Sequence, residues 1–158
     1  EILTYLLEKE NFPVNLLATY HNRATFQDIK ESTISATCRL GLVASFHVLF
    51  GHPKIELDNI TNLLVNACQG GNKTIVEALA DYITKFSEPA ACCDALSEGF
   101  CEACNSGSRE LFDFFRAHPL ADEFMYKQNP LTAAHKGYLV TDDPEIFERL
   151  LNDPKDYP

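Results

Sequence analysis

From the middle of the chain onward, apolar residues recur at spacings of three and four rather than two. Ser45-Phe46 with Leu49, Ile75-Val76 with Leu79, and Leu111-Phe112 with Phe115 repeat one arrangement, the apolar face of a helix with 3.6 residues per turn. Each trio begins four residues after a glycine, namely Gly41, Gly71 or Gly107. Before each glycine stands a pair of small residues, Thr37-Cys38, Ala67-Cys68 or Ala103-Cys104, and Ala133-Ala134-His135-Lys136-Gly137 carries the same pattern a fourth time. These glycines lie 30, 36 and 30 positions apart, so four of the seven in the chain share one register. A helix end that needs a left-handed residue explains such a register, and each of the four glycines is expected to close a short helix.

The pattern predicts first helices over Phe26–Leu40, Leu57–Gly70, Ala90–Ser106 and Leu131–Lys136, and second helices over Ala44–Gly51, Lys73–Lys85, Ser108–Ala117 and Pro144–Leu151. Several of these starts carry capping chemistry: Asp58 or Asn59, Asn72, Ser108, and Asp143 before Pro144. Two or three residues between the helices of a pair permit only a tight antiparallel turn, and successive pairs then stack into a solenoid. The expected fold class is therefore all-α, a solenoid of stacked antiparallel helix pairs in one domain, since no Gly/Ser-rich or charged linker divides the chain. Two stretches exceed a regular repeat, residues 18–30 and 138–142.

With this spacing the chain resembles the ankyrin-repeat family, whose repeats carry Thr-Pro-Leu-His-x-Ala-Ala-x-x-Gly-His and continue into Ile-Val-x-x-Leu-Leu. The best matches are Pro130-Leu131-Thr132-Ala133-Ala134-His135-Lys136-Gly137 and Asn66-Ala67-Cys68-Gln69-Gly70-Gly71-Asn72-Lys73-Thr74-Ile75-Val76-Glu77-Ala78-Leu79. Residues 1–15 resemble the second half of a preceding repeat, so the resemblance covers a half repeat and about four helix pairs over residues 1–158 of what reads as a fragment of a longer protein. The Gly-Ala-Asp-x-Asn finger signature is replaced by Phe50-Gly51-His52-Pro53, Phe86-Ser87-Glu88-Pro89 and Ala117-His118-Pro119, which predicts poorly formed fingers.

Charge narrows the partners. Thirteen Lys and Arg against 23 Asp and Glu give a formal net charge of −10, which repels a nucleic-acid backbone or an anionic membrane surface. A neutral or basic protein surface is the expected partner of a monomeric chain. The longest largely apolar stretch, Leu40 to Phe50, contains Ser45 and His47 and is about half of the roughly 20 residues that a bilayer crossing needs. Six Cys in a repeat register suit small buried thiols in a reducing compartment, and the expected location is the cytoplasm.

Cys92, Cys93, Cys101 and Cys104 fall within thirteen residues, and a two-residue gap such as that between Cys101 and Cys104 recurs in zinc sites. Against a metal reading, Cys104 shares the register of Cys38 and Cys68, where a small apolar side chain packs between helices. Structural thiols with no metal and no cofactor are the expectation. Cys104 with His135 and Cys68 with His118 are the conceivable nucleophile and base pairs. His52 and His118, each before a proline, are expected to end second helices, and His135 to lie at the surface. The acidic Asp142-Asp143 with Glu145 reads as a helix N-terminus, and Phe112, Phe114, Phe115, Phe124 and Tyr126 as core. No phosphate-binding loop, Gly-x-Ser-x-Gly or His-Glu-x-x-His pattern occurs, so no enzyme activity is expected within the chain.

The ankyrin resemblance implies a non-catalytic protein-protein interaction module whose contacts flank the small pair and the glycine. Carried over position by position, these are Arg39, Leu40 and Leu42; Gln69 and Asn72; Asn105 and Ser108; and His135, Lys136 and Tyr138. Degenerate arrays of this kind are similar to those of bacterial effectors and viral host-range proteins, which implies a host-pathogen setting and host cytoplasm. The alternative is the targeting portion of a larger enzyme or effector whose catalytic domain lies elsewhere.

Overall fold

The computed structural model describes residues 15–22, 27–57, 59–125 and 127–153, with the backbone alone for 18–22 and 27–30. The half repeat expected over residues 1–15 and the aromatic Tyr126 thus fall outside the described residues, except for Asn15. Two strands open the described chain, β1 (Leu17–Asn22) and β2 (Gln27–Ser32), paired antiparallel with Leu17 opposite Ser32 and Asn22 opposite Gln27. All the following elements are helical: α1 (Thr33–Arg39), α2 (Val43–Phe50), α3 (Ile60–Gln69), α4 (Lys73–Phe86), α5 (Pro89–Asn105), α6 (Arg109–Arg116), the single turn α7 (Ala121–Phe124), α8 (Pro130–Thr141) and α9 (Glu145–Leu151). The chain is mostly α-helical.

The hairpin corrects the helix expected from Phe26 to Leu40. Helix begins only at Thr33, because Ser32 caps it by accepting from the Ser35 amide at 3.3 Å, and the preceding residues pair across the hairpin instead. Leu17-Ala18-Thr19-Tyr20 is rich in apolar, β-branched and aromatic residues, and Gln27 to Ser32 alternates only weakly, so cross-strand pairing competes well with a helix there. The hairpin is fastened to α1 by the Thr33 amide and hydroxyl, both donating to the Leu16 carbonyl at 3.2 Å. Asn15 further holds the segment after α2, donating to the Lys54 carbonyl and accepting from the Glu56 amide.

The helices form two rows. In one, α1 packs on α3, α3 on α5 and α5 on α8; in the other, α2 packs on α4 and α4 on α6, with each helix of the second row joined by a tight turn to its partner in the first. One continuous core fills the space between the rows. Phe46, Leu49, Ile75, Val76, Leu79, Leu111, Phe112 and Phe115, the apolar members of the three repeated trios, are all fully buried there. At about 25 cal/mol per Å² of apolar surface removed from water, each contributes roughly 2 kcal/mol or more. Asn59, Asn72, Ser108 and Asn129 cap α3, α4, α6 and α8 by accepting from the amide three residues on.

Gly41, Gly71 and Gly107 close α1, α3 and α5 with φ of +64°, +65° and +70°. Gly137 does not close a helix. It lies inside α8, which runs on to Thr141, and the left-handed residue is Asp142, with φ of 57°. The reason is spatial. A β-carbon on Gly137 would run into the carbonyls of Cys104 and Asn105, just as one on Gly70 would stand 2.5 Å from the Cys38 carbonyl and 2.8 Å from that of Arg39. Gly137 is therefore the counterpart of Gly70, one residue out of the register expected for it, and its function is close approach of backbones. Asp142 thereby ends α8 and does not start the next helix; Pro144 is the N-cap of α9, not its first helical residue, and just ahead of it the Asp143 Oδ1 accepts from the Glu145 amide at 3.1 Å.

Candidate functional site

The ten residues expected to meet a partner are spread over three places. Leu40 and Leu42 stand at the turn between α1 and α2, exposed to 57% and 47%, where the equivalent positions in the next pair are Gly70 and Asn72. The turn around Gly41 lies against the Gly70 carbonyl and the Asn72 side chain, so successive turns form a ridge. Gln69 is exposed at the end of α3. Asn72 and Ser108 are also on this edge, but their side chains are committed to capping, accepting from Ile75 and Leu111 at 3.4 Å each. Arg39 is half-buried and clasps Glu31 with two hydrogen bonds of 3.0 and 2.8 Å. This fork links α1 to the hairpin, so Arg39 has a structural task that its repeat position did not reveal.

The second place is an open groove of about 470 Å³ across α3, α5 and α8. Asn105 and Lys136 line it, together with Glu98, Cys101, Glu102 and Thr132. Glu98, Cys101, Glu102 and Asn105 follow one another at three- and four-residue steps along α5, opposite the buried Leu96, Phe100 and Ala103. That stripe is the outward face of an amphipathic helix. It was readable from periodicity, yet the family positions, confined to the helix ends, passed over it. Asn105 donates to Glu102 at 3.3 Å, and the two glutamates against one lysine leave the groove acidic. His135 and Tyr138 project from α8 toward α9, with their rings 5.5 and 6.4 Å from that of Phe147, and His135 is exposed.

The cysteines are thiols packed in helices; none forms a disulfide, and only Cys101 is partly exposed. Burial, with Glu31 nearby, pushes the Cys38 thiol up to about 12, and burial with Glu102 and Glu98 pushes Cys101 up to about 11. Burial likewise raises Cys68, with Glu102 adding to it. Such thiols hold their protons at neutral pH and are poor nucleophiles. Cys93 is raised first by burial and then by Glu123, whose Oε2 accepts from its Sγ at 3.7 Å. Among the described residues no three His, Cys, Asp or Glu side chains are grouped to hold a metal ion. His118 follows α6, its Nδ1 accepting from the Leu120 amide at 3.2 Å and its ring packed near Phe114 and Phe124, while His135 lies on Phe147.

Compared with protein-family models, with curated proteins and with solved structures, the chain matches none. Among the described residues no helix is long and apolar enough to cross a membrane.

Proposed function

We propose that this chain is a short solenoid of degenerate ankyrin-like repeats that binds another protein through the outward face of its first-helix row. The observation that carries the reading is the groove across α3, α5 and α8, because three successive first helices line it while their opposite faces pack into the core. A surface assembled from a row of parallel, rigidly packed helices is extended and shallow, which suits a protein more than a small molecule. The exposed Leu40 and Leu42 supply apolar contact at the turn ridge, and Gln69 and Lys136 supply a polar rim. Glu98 and Glu102, within a chain of net charge −10, favour a basic partner surface. Six cysteines outside any disulfide fit a reducing compartment, and we place the protein in the cytoplasm.

The test is affinity capture from cell lysate with quantitative mass spectrometry, using the full chain and two variants. Glu98→Lys with Glu102→Lys and Lys136→Glu alters the groove; Glu56→Lys with Glu148→Lys alters exposed charge elsewhere. A protein enriched by the wild type and by the second variant, but lost with the first, is the expected result. The same proteins captured by all three would contradict it.

A further inference from the structure

The second-helix row carries a larger cleft, about 740 Å³, between α4 and α6. Its α4 wall comes from Lys73, Glu77, Asp81 and Thr84, and its α6 wall from Glu110, Asp113 and Phe114 with Ala117 just past the helix end, each set spaced along one face. His118, Pro119 and Leu120 close one end. The floor is apolar, with Phe114 and Leu120 half-buried and Ala117 exposed. The rim holds four carboxylates against one ammonium, with Lys73 divided between Glu77 at 3.6 Å and Glu110 at 3.9 Å. Asp113 is held by Arg149 at 2.7 Å, whereas Asp81 makes no ion pair among the described residues.

We infer that this cleft is a second docking surface, and that its occupant is a basic segment of a partner protein which places an apolar side chain on the Phe114 floor and Lys or Arg side chains against Asp81 and Glu77. Charge complementarity selects this occupant. An acidic or neutral apolar segment would leave the carboxylates facing either like charge or nothing, at a cost in desolvation. A metal ion or a polyamine matches the rim but has no use for the apolar floor. An aromatic ring beside carboxylates also suits the aliphatic stem and charged head of Lys or Arg, since the stem packs on the ring while the head remains in the acidic field. The cleft lies on the opposite row from the groove across α3, α5 and α8, so the two surfaces can be occupied independently.

The experiment is fluorescence anisotropy of a labelled synthetic helix-forming peptide of Leu and Lys residues, titrated with the full chain. A Leu and Glu peptide of the same pattern and a Lys and Gly peptide lacking apolar residues serve as comparisons. Saturable binding of the Leu and Lys peptide alone is expected. It should weaken at least tenfold with Glu77→Lys plus Asp81→Lys, and also with Ala117→Trp, which fills the cleft. It should change less than twofold with Glu56→Lys plus Glu148→Lys, which alters net charge equally. Circular dichroism of each variant establishes that it is folded, and Ala117→Trp gives a second route if the charge variant is not. Equal loss with both charge pairs would reduce the effect to net charge and overturn the proposal. So would binding of the Lys and Gly peptide with the same affinity, or no response to Ala117→Trp.

Discussion

The α-carbon of Gly137 lies against the carbonyl oxygen of Cys104 so closely that a β-carbon there has no space, and Gly70 stands in the same relation to Cys38. These contacts set the distance between successive first helices, α3 to α1 and α8 to α5. Gly70→Ala and Gly137→Ala therefore force backbone apart, at a cost of about 1–3 kcal/mol or more. Gly71 has open space around it but a φ of +65°, so Gly71→Ala should cost about 1 kcal/mol through strain alone. Urea unfolding of the three variants checks the order. Equal small losses at all three would remove the close contact from the account.

Asn72 and Ser108 separate folding from binding. Each caps a second helix, so Asn72→Ala and Ser108→Ala should each lower stability by about 1 kcal/mol. Gln69→Ala and Lys136→Ala, at exposed positions without such a task, should change it by less than about 0.5 kcal/mol. Thermal or urea denaturation of the four single variants distinguishes the two classes.

The buried thiols predict a loss of stability in alkali. An unfolded Cys38 thiol ionises near its ordinary 9.0, whereas the folded one does so at about 12. Between these values the unfolded chain has released a proton that the folded chain still holds, so unfolding is favoured as pH rises. The contribution is fully present below 9.0 and is lost through to about 12. The slope should be on the order of 1 kcal/mol per pH unit for such a thiol. Cys38→Ala should be shallower than wild type over the same range, as measured by denaturant titration at successive pH values.

Much of this architecture was legible because each helix packs on helices close to it in the chain, so the packing leaves a local pattern. Phe46, Val76 and Phe112 hold equal offsets from Gly41, Gly71 and Gly107, and both the burial and the left-handed backbone follow from that spacing. Gly137 misled because a glycine has two distinct uses, closing a helix and admitting a neighbouring backbone, and sequence alone does not separate them. The hairpin was missed because its pairing is between segments whose partner is not marked by periodicity. Gly99 was passed over for a related reason: its α-carbon faces Leu64 and Phe115, where a β-carbon would lie 2.7 Å from the Leu64 side chain, a contact made only in three dimensions. Of the residues that line the groove, repeat position points to Asn105 and Lys136, whereas Glu98 and Glu102 needed the length of α5 to be known.

Gly99 gives a further expectation. Adding a methyl group between Leu64 and Phe115 requires one side chain to shift, so Gly99→Ala gains helix propensity of about 1 kcal/mol but should lose more through overpacking. A lower midpoint in urea checks this; a higher one would show that the neighbours yield easily.

The central claim is that the first-helix face is the binding surface, and side-chain footprinting of the full chain with and without its captured protein partner tests it most directly. The account predicts that Cys101, Glu102 and Lys136 become protected in the complex while Glu56 and Glu148 label as before. Unchanged labelling of all three groove residues in a saturated complex would contradict it.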